Sequence, residues 1–129
     1  MYGAIIGDIV GSRFEFDNHK SKDFTLFTPQ CFFTDDTVMT IAVAEAFMGT
    51  LDDEKVIRHR LIQSMQKWGH RYPGAGYGVR FCDWLESNDP QPYNSWGNGS
   101  AMRVSAVAWL FNDLDTVRRM ARISAEVTH

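Results

Sequence analysis

Apolar residues in this chain recur with a helical period almost throughout and hardly ever alternate with period two. A chain patterned this way buries its stripes by packing helix on helix, so an all-α fold is expected. Its 129 residues, 44% hydrophobic and 22% charged, suffice for one core, and residues 1–129 are read as a single domain.

The pattern predicts a first helix from Tyr2 to about Ser12, with Gly3, Gly7 and Gly11 on one face where another backbone approaches closely. A second helix runs from about Asp36 to Met48 and is ended by Gly49. A third is capped by Asp52 and Asp53, carries the stripe Val56, Ile57, Leu61, Met65 and Trp68, and stops at Gly69. Tyr72 to Gly78 reads as a loop, followed by a short helix from about Val79 to Glu86. A second loop, rich in proline and glycine, leads to a long helix from Ser100 to about Phe111, and a last helix begins near Asp115 and passes Ser124. Trp84, Trp96, Trp109, Phe81 and Phe111 are expected mostly in the core, and Cys31 and Cys82 as buried free thiols.

Charge excludes several partners. The net charge is −3, the pI is near 5.7 and the basic residues are scattered, so neither nucleic acid nor an acidic membrane surface is a generic partner. The apolar N-terminus is short, has no basic flank and carries Asp8 in its middle, unlike a signal peptide or a membrane span. A cytoplasmic protein is expected.

Three segments carry chemistry. In FFTDDTVMT, Asp35 and Asp36 stand side by side between Thr34 and Thr37 at the start of the second helix. Thr34 reads as an N-cap with two acids in the first turn, where they suit the helix dipole. The same oxygen-only set also suits a hard divalent cation, which offsets the cost of partly desolvating two like charges. Both readings stand on the local pattern. GDIVGSRFE places Asp8 and Glu15 in and after the first helix, where Glu15 alone is an ordinary surface acid. In SWGNGSAMR, a Gly97-Asn98-Gly99-Ser100 turn feeds a helix start, an arrangement of backbone amides that holds phosphate, or simply a tight loop before an N-cap serine, Ser100. The sequence leaves open whether Arg103 faces an anion or pairs with an acid.

In this order, GAIIGDIVGSRFE, FTDDT, GNGSAMR and the closing SAEVTH resemble the ADP-ribosylglycohydrolase family over the whole chain. That resemblance implies an orthogonal all-α domain with a two-ion site for Mg²⁺ or Mn²⁺. It implies Thr34, Asp35 and Asp36 as metal ligands, and Glu15 and Asp36 as the acids at the scissile end. Gly97, Asn98, Gly99 and Ser100 would wrap a diphosphate, with His129 near the ligand. From their place beside that turn, and not from the resemblance, Tyr93 and Trp96 could stack on an adenine or ribose. The implied activity is metal-dependent removal of ADP-ribose from an acceptor, a protein or a small molecule, through an N- or O-glycosidic bond. The same fold acting on another glycosylated or phosphorylated small molecule, or a non-catalytic helical interaction module, are the alternatives.

One departure matters. The family carries a second acidic motif, Gly-Asp-x-Asp-Thr, far downstream; Asp113-Leu114-Asp115-Thr116 lacks the glycine and falls where a helix cap is needed, with Asp115 the expected cap. The chain therefore reads as an N-terminal portion, weak or inactive alone, whose uncovered apolar faces call for a second copy or a complementing C-terminal fragment.

Overall fold

The computed structural model describes residues 1–49 and 51–129. Seven α-helices follow in order: α1 (Tyr2–Gly11), α2 (Asp35–Ala46), α3 (Glu54–Arg71), α4 (Val79–Glu86), α5 (Gly99–Met102), α6 (Val107–Leu110) and α7 (Leu114–Glu126). Single 3₁₀ turns lie at Ser12–Phe14 and Val104–Ala106, and there is no strand among the described residues. The all-α expectation holds. No helix among the described residues is long and apolar enough to cross a membrane.

The central element is α2, which packs against α1, α3 and the 3₁₀ turn at Val104–Ala106. Apart from Met39 its buried side chains are small or β-branched; Thr37, Val38, Met39, Thr40, Ala42, Val43 and Ala46 are all buried, so neighbours close on it from several sides. The hydroxyls on this inner surface are satisfied: Ser64 donates to the Ala42 carbonyl at 2.8 Å and Thr40 to that of Met102 at 3.4 Å. Around it Ile57, Leu61 and Met65 of α3, Leu85 of α4 and Met120 and Ile123 of α7 form the core. Each such side chain contributes roughly 1.5–3 kcal/mol of transfer free energy.

Asp53 caps α3 by accepting from the Lys55 amide at 2.7 Å, and Val56 turns outward from the predicted stripe. Gly69 does not stop this helix. A Cβ there would lie 2.7 Å from Leu85, so the glycine lets α4 approach, and α3 ends at Arg71, just ahead of the Tyr72-Pro73 step.

Several expectations are corrected. The glycine face of α1 is open: Gly3, Gly7 and Gly11 are exposed, and a Cβ on any of them would meet nothing within 4 Å. The reason is that α1 meets α2 through another face, on which Ile5, Asp8, Ile9 and Ser12 follow at helical spacing and are less exposed. The long helix predicted from Ser100 is broken into α5, a 3₁₀ turn and α6; it bends at Arg103, whose guanidinium is drawn inward to the end of α7. The cap of α7 is Asp113, which accepts from the Thr116 amide at 2.8 Å, while Asp115 is exposed in the first turn. Trp84 is buried and Phe81 and Phe111 pack against the core, but Trp96 is 98% and Trp109 77% exposed. Both cysteines are free, yet Cys31 is only half-buried and Cys82 is exposed on α4. Tyr2 and Ile6 of α1, with Phe16 beyond it, also face outward.

Candidate functional site

The site begins at the start of α2. Thr34 is extended and its hydroxyl oxygen accepts from the Asp36 amide at 3.4 Å, so the N-cap reading is realised. A second device lies beneath it. Asp8 of α1 accepts from the Thr34 amide at 2.8 Å and hydroxyl at 2.5 Å, and from the Thr37 amide at 3.1 Å and hydroxyl at 2.5 Å. Thr34 and Thr37 lie on one side of the first turn, so a single carboxylate serves both.

With the threonines tied inward, Asp35 and Asp36 remain as half-buried acids. The Asp35 amide donates to the Ala75 carbonyl at 2.8 Å, fixing the loop between α3 and α4 across the helix start. Gly76 turns that loop with φ +98°, and a Cβ there would lie 3.9 Å from Asp35 Oδ1.

Burial, then the charge of Asp36, pushes the Asp35 carboxyl up to about 6, with Glu15 and Asp8 adding in the same direction. Asp36 is also raised, first by burial and then by Asp8 and Glu15. Glu15, exposed after the 3₁₀ turn at Ser12–Phe14, thus belongs to the same acidic field. The buried hydroxyl of Tyr77 has no hydrogen-bond partner among the described residues, and burial followed by the Asp35 and Cys82 charges raises its pKa.

In kind, these donors fit a hard divalent cation: all are oxygens, and a positive charge would relieve the repulsion that raises Asp35. In number they fall short. Among the described residues no group of three or more His, Cys, Asp or Glu side chains is placed to hold an ion, and the Thr34 hydroxyl proton is committed to Asp8. Asp35, Asp36 and the Thr34 oxygen would supply only part of a ligand shell.

Asp35 also stands at one end of a cleft of about 450 Å³. The other end is built from the loop before α5 and the last residues of the chain. The Thr128 carbonyl accepts from the Tyr93 amide at 3.2 Å and the Ser95 amide at 3.1 Å. Arg80 donates to the Tyr93 carbonyl at 2.6 Å, with its guanidinium 4.8 Å over the Tyr93 ring. Gly97 donates to Ser95 Oγ at 3.3 Å, and its carbonyl lies 3.1 Å from His129 Nε2. Asn98, not Ser100, takes the cap position of α5, and makes no side-chain cap bond. No backbone or side-chain acceptor among the described residues takes the amides of Asn98, Gly99 and Ser100. The turn thus keeps free donors at the mouth of a concave surface rimmed by Tyr93 and Trp96.

The cleft brings together Asp35, Gly97, Asn98, Gly99 and His129; Ser100 follows on the turn without lining it, and Thr34, Asp36 and Glu15 sit on the acidic side. Sequence reasoning noted Asp8 but gave it no role, although the paired threonines were an available signal, and it missed Thr128, whose role rests on contacts with distant segments.

The whole chain, residues 1–129, matches the ADP-ribosylglycohydrolase family profile. The chain belongs to the ADP-ribosylglycohydrolase family. It is 29% identical to the ADP-ribosylhydrolase ARH3 of Mus musculus over 156 aligned positions, covering 100% of this chain and 42% of that protein. The Homo sapiens ADP-ribosylhydrolase ARH3 is likewise 29% identical, with 100% of this chain and 43% of the relative covered. The chain therefore spans less than half the length of these relatives. Within this ADP-ribosylglycohydrolase-family chain, Asp35 of the acidic motif and Gly97, Asn98 and Gly99 of the turn line one cleft although they lie more than 60 positions apart in the sequence.

Proposed function

We propose that this chain builds an ADP-ribose site belonging to a hydrolase that releases ADP-ribose from an acceptor by cleaving an N- or O-glycosidic bond. The observation that carries the reading is the shared cleft, acidic at Asp35 and rich in free amides at the Gly97–Gly99 turn, in a chain of the ADP-ribosylglycohydrolase family. Its volume of about 450 Å³ lies in the range of small-molecule sites. The relatives named as ADP-ribosylhydrolases support the substrate class.

In this reading Trp96 and Tyr93 stack on the adenine or its ribose, and the amides at 98–100 receive the diphosphate. The distal ribose then lies toward Asp35 and Asp36. Glu15 and Asp36 orient a water for attack at the anomeric carbon, take its proton as the glycosidic bond breaks and pass it on to the departing acceptor atom. Thr34, Asp35 and Asp36 would hold part of the shell of Mg²⁺ or Mn²⁺, a pair of ions in the complete site. Such ions supply charge that stabilises developing negative charge and lowers the cost of ionising water. The free cysteines are consistent with a cytoplasmic setting. The same reading has the outward apolar face at Tyr2 and Ile6 covered by a second copy or a complementing C-terminal fragment; a monomer by sedimentation in dilute solution would count against the second copy.

Calorimetric titration of ADP-ribose into the chain, with Mg²⁺ or Mn²⁺ and again after chelation, tests the proposal. Metal-dependent binding that disappears in the Asp35→Ala, Asp36→Ala double variant is expected; binding unchanged in that variant would sink the assignment of the acids. A second reading, a helical module that binds without turnover, is favoured by the missing third acidic or imidazole ligand among the described residues. Ligand binding without release of ADP-ribose from ADP-ribosylated protein would select it.

A further inference from the structure

Arg103 is 1% exposed, yet no carboxylate among the described residues pairs with it. Burial pulls it down to about 10, so it remains charged at neutral pH. Its Nη2 donates to the Ser124 carbonyl at 2.7 Å and to Thr128 Oγ1 at 2.9 Å, and its Nε has no partner among the described residues. A buried cation held only by neutral oxygens is costly, and the expense implies that its hydrogen bonds organise something.

What they organise can be followed atom by atom. The Gly97 carbonyl only accepts, so His129 Nε2 carries the proton in their 3.1 Å contact. In the neutral imidazole Nδ1 is then an acceptor, and the group beside it, at 2.9 Å, is the Thr128 hydroxyl. That hydroxyl already accepts from Arg103 and has one proton to give; Nδ1 at 2.9 Å is a better acceptor than the Ala125 carbonyl at 3.4 Å. Donors and acceptors therefore align in one direction, from Arg103 through Thr128 and His129 to Gly97, the first residue of the turn whose amides remain free.

We infer that Arg103 is a positioning residue: through Thr128 it holds His129 as the Nε2–H tautomer, and His129 in turn clamps the Gly97 carbonyl so that the following amides face the cleft. The consequence for ligand binding rests on the reading of that cleft as a diphosphate site; the tautomer does not. The experiment uses the full chain labelled with ¹⁵N-histidine and long-range ¹H–¹⁵N spectra, together with ADP-ribose and adenosine titrations. Wild type shows His129 as the Nε2–H tautomer alone. Thr128→Val, nearly isosteric, populates both tautomers and weakens ADP-ribose about tenfold, the scale of one lost hydrogen bond, while adenosine changes less than about twofold. Thr128→Ser restores both readouts. Arg103→Lys, whose shorter side chain stops short of the two oxygens that Nη2 reaches, behaves like Thr128→Val; if it fails to fold, the threonine pair decides alone. A wild-type Nδ1–H tautomer, an unchanged tautomer in Thr128→Val, or an altered tautomer with unchanged ADP-ribose affinity would each overturn the inference. A wild type that binds no ADP-ribose sinks the functional reading instead, and the tautomer result still decides whether Arg103 positions His129.

Discussion

The carboxylate of Asp8 receives both the amide and the hydroxyl of Thr34, with the hydroxyls of Thr34 and Thr37 each 2.5 Å from it. One acid on α1 thus fixes the first turn of α2 and with it the direction in which Asp35 and Asp36 emerge. Asp8→Asn replaces one acceptor oxygen by an NH₂ group facing donors. Hydrogen bonds to charged groups are worth roughly 1.5–3 kcal/mol, so a loss of about 3 kcal/mol in urea unfolding is expected. The exposed Asp52→Asn serves as a control and should stay within about 0.5 kcal/mol of wild type.

Asp35 gives the fold a pH dependence of definite sign. Its folded carboxyl titrates near 6 against an ordinary 3.8, so between those values the folded state binds more protons than the unfolded one. Its contribution to stability therefore falls as pH rises from about 4 to about 6 and is regained on acidification. Asp35→Asn removes the repulsion and should be the more stable protein at pH 7, by about 1 kcal/mol once solvent screening of a half-exposed group is allowed for. The advantage should vanish near pH 4. Paired melting curves across that range read the difference directly, and a variant less stable than wild type at pH 7 would contradict the electrostatic account.

The open glycine face of α1 makes an opposite kind of prediction. Nothing lies within 4 Å of a Cβ built on Gly7, and the residue is helical and exposed. Gly7→Ala should raise stability by about 0.5–1 kcal/mol, because alanine loses less backbone entropy on folding. Denaturant midpoints of the two proteins measure it; destabilisation would show that this face is in contact with something in solution.

How much of this was legible in the sequence depends on whether the deciding contact is local. The span of α4 and the capping of α2 by Thr34 were readable because turn residues and caps act within a few positions. Glycine was misread twice, since its uses as helix stop, close contact and open surface look alike in one dimension. Gly69 is buried against Leu85, whereas Gly3 and Gly7 face nothing. The helix expected to run on from Ser100 fails at Arg103 because a side chain 21 residues from Ser124 and 25 from Thr128 is drawn to both. No local propensity carries that information. In the site, the acidic pair and the Gly97–Ser100 turn were visible as motifs, but Asp8 holding Thr34 and Thr37, and Thr128 holding Tyr93 and Ser95, are long-range pairings.

Trp96 separates function from stability most sharply. At 98% exposure on the rim of the cleft it buries almost nothing, so Trp96→Ala should unfold within about 0.5 kcal/mol of wild type. A base stacked on an aromatic ring is worth roughly 1–3 kcal/mol, so the same variant should bind ADP-ribose about tenfold more weakly. Ribose 5-phosphate, which has no base to stack, should be unaffected. Equal losses for both ligands would place the adenine elsewhere and shift the stacking role to Tyr93, whose ring already carries the Arg80 guanidinium over one face.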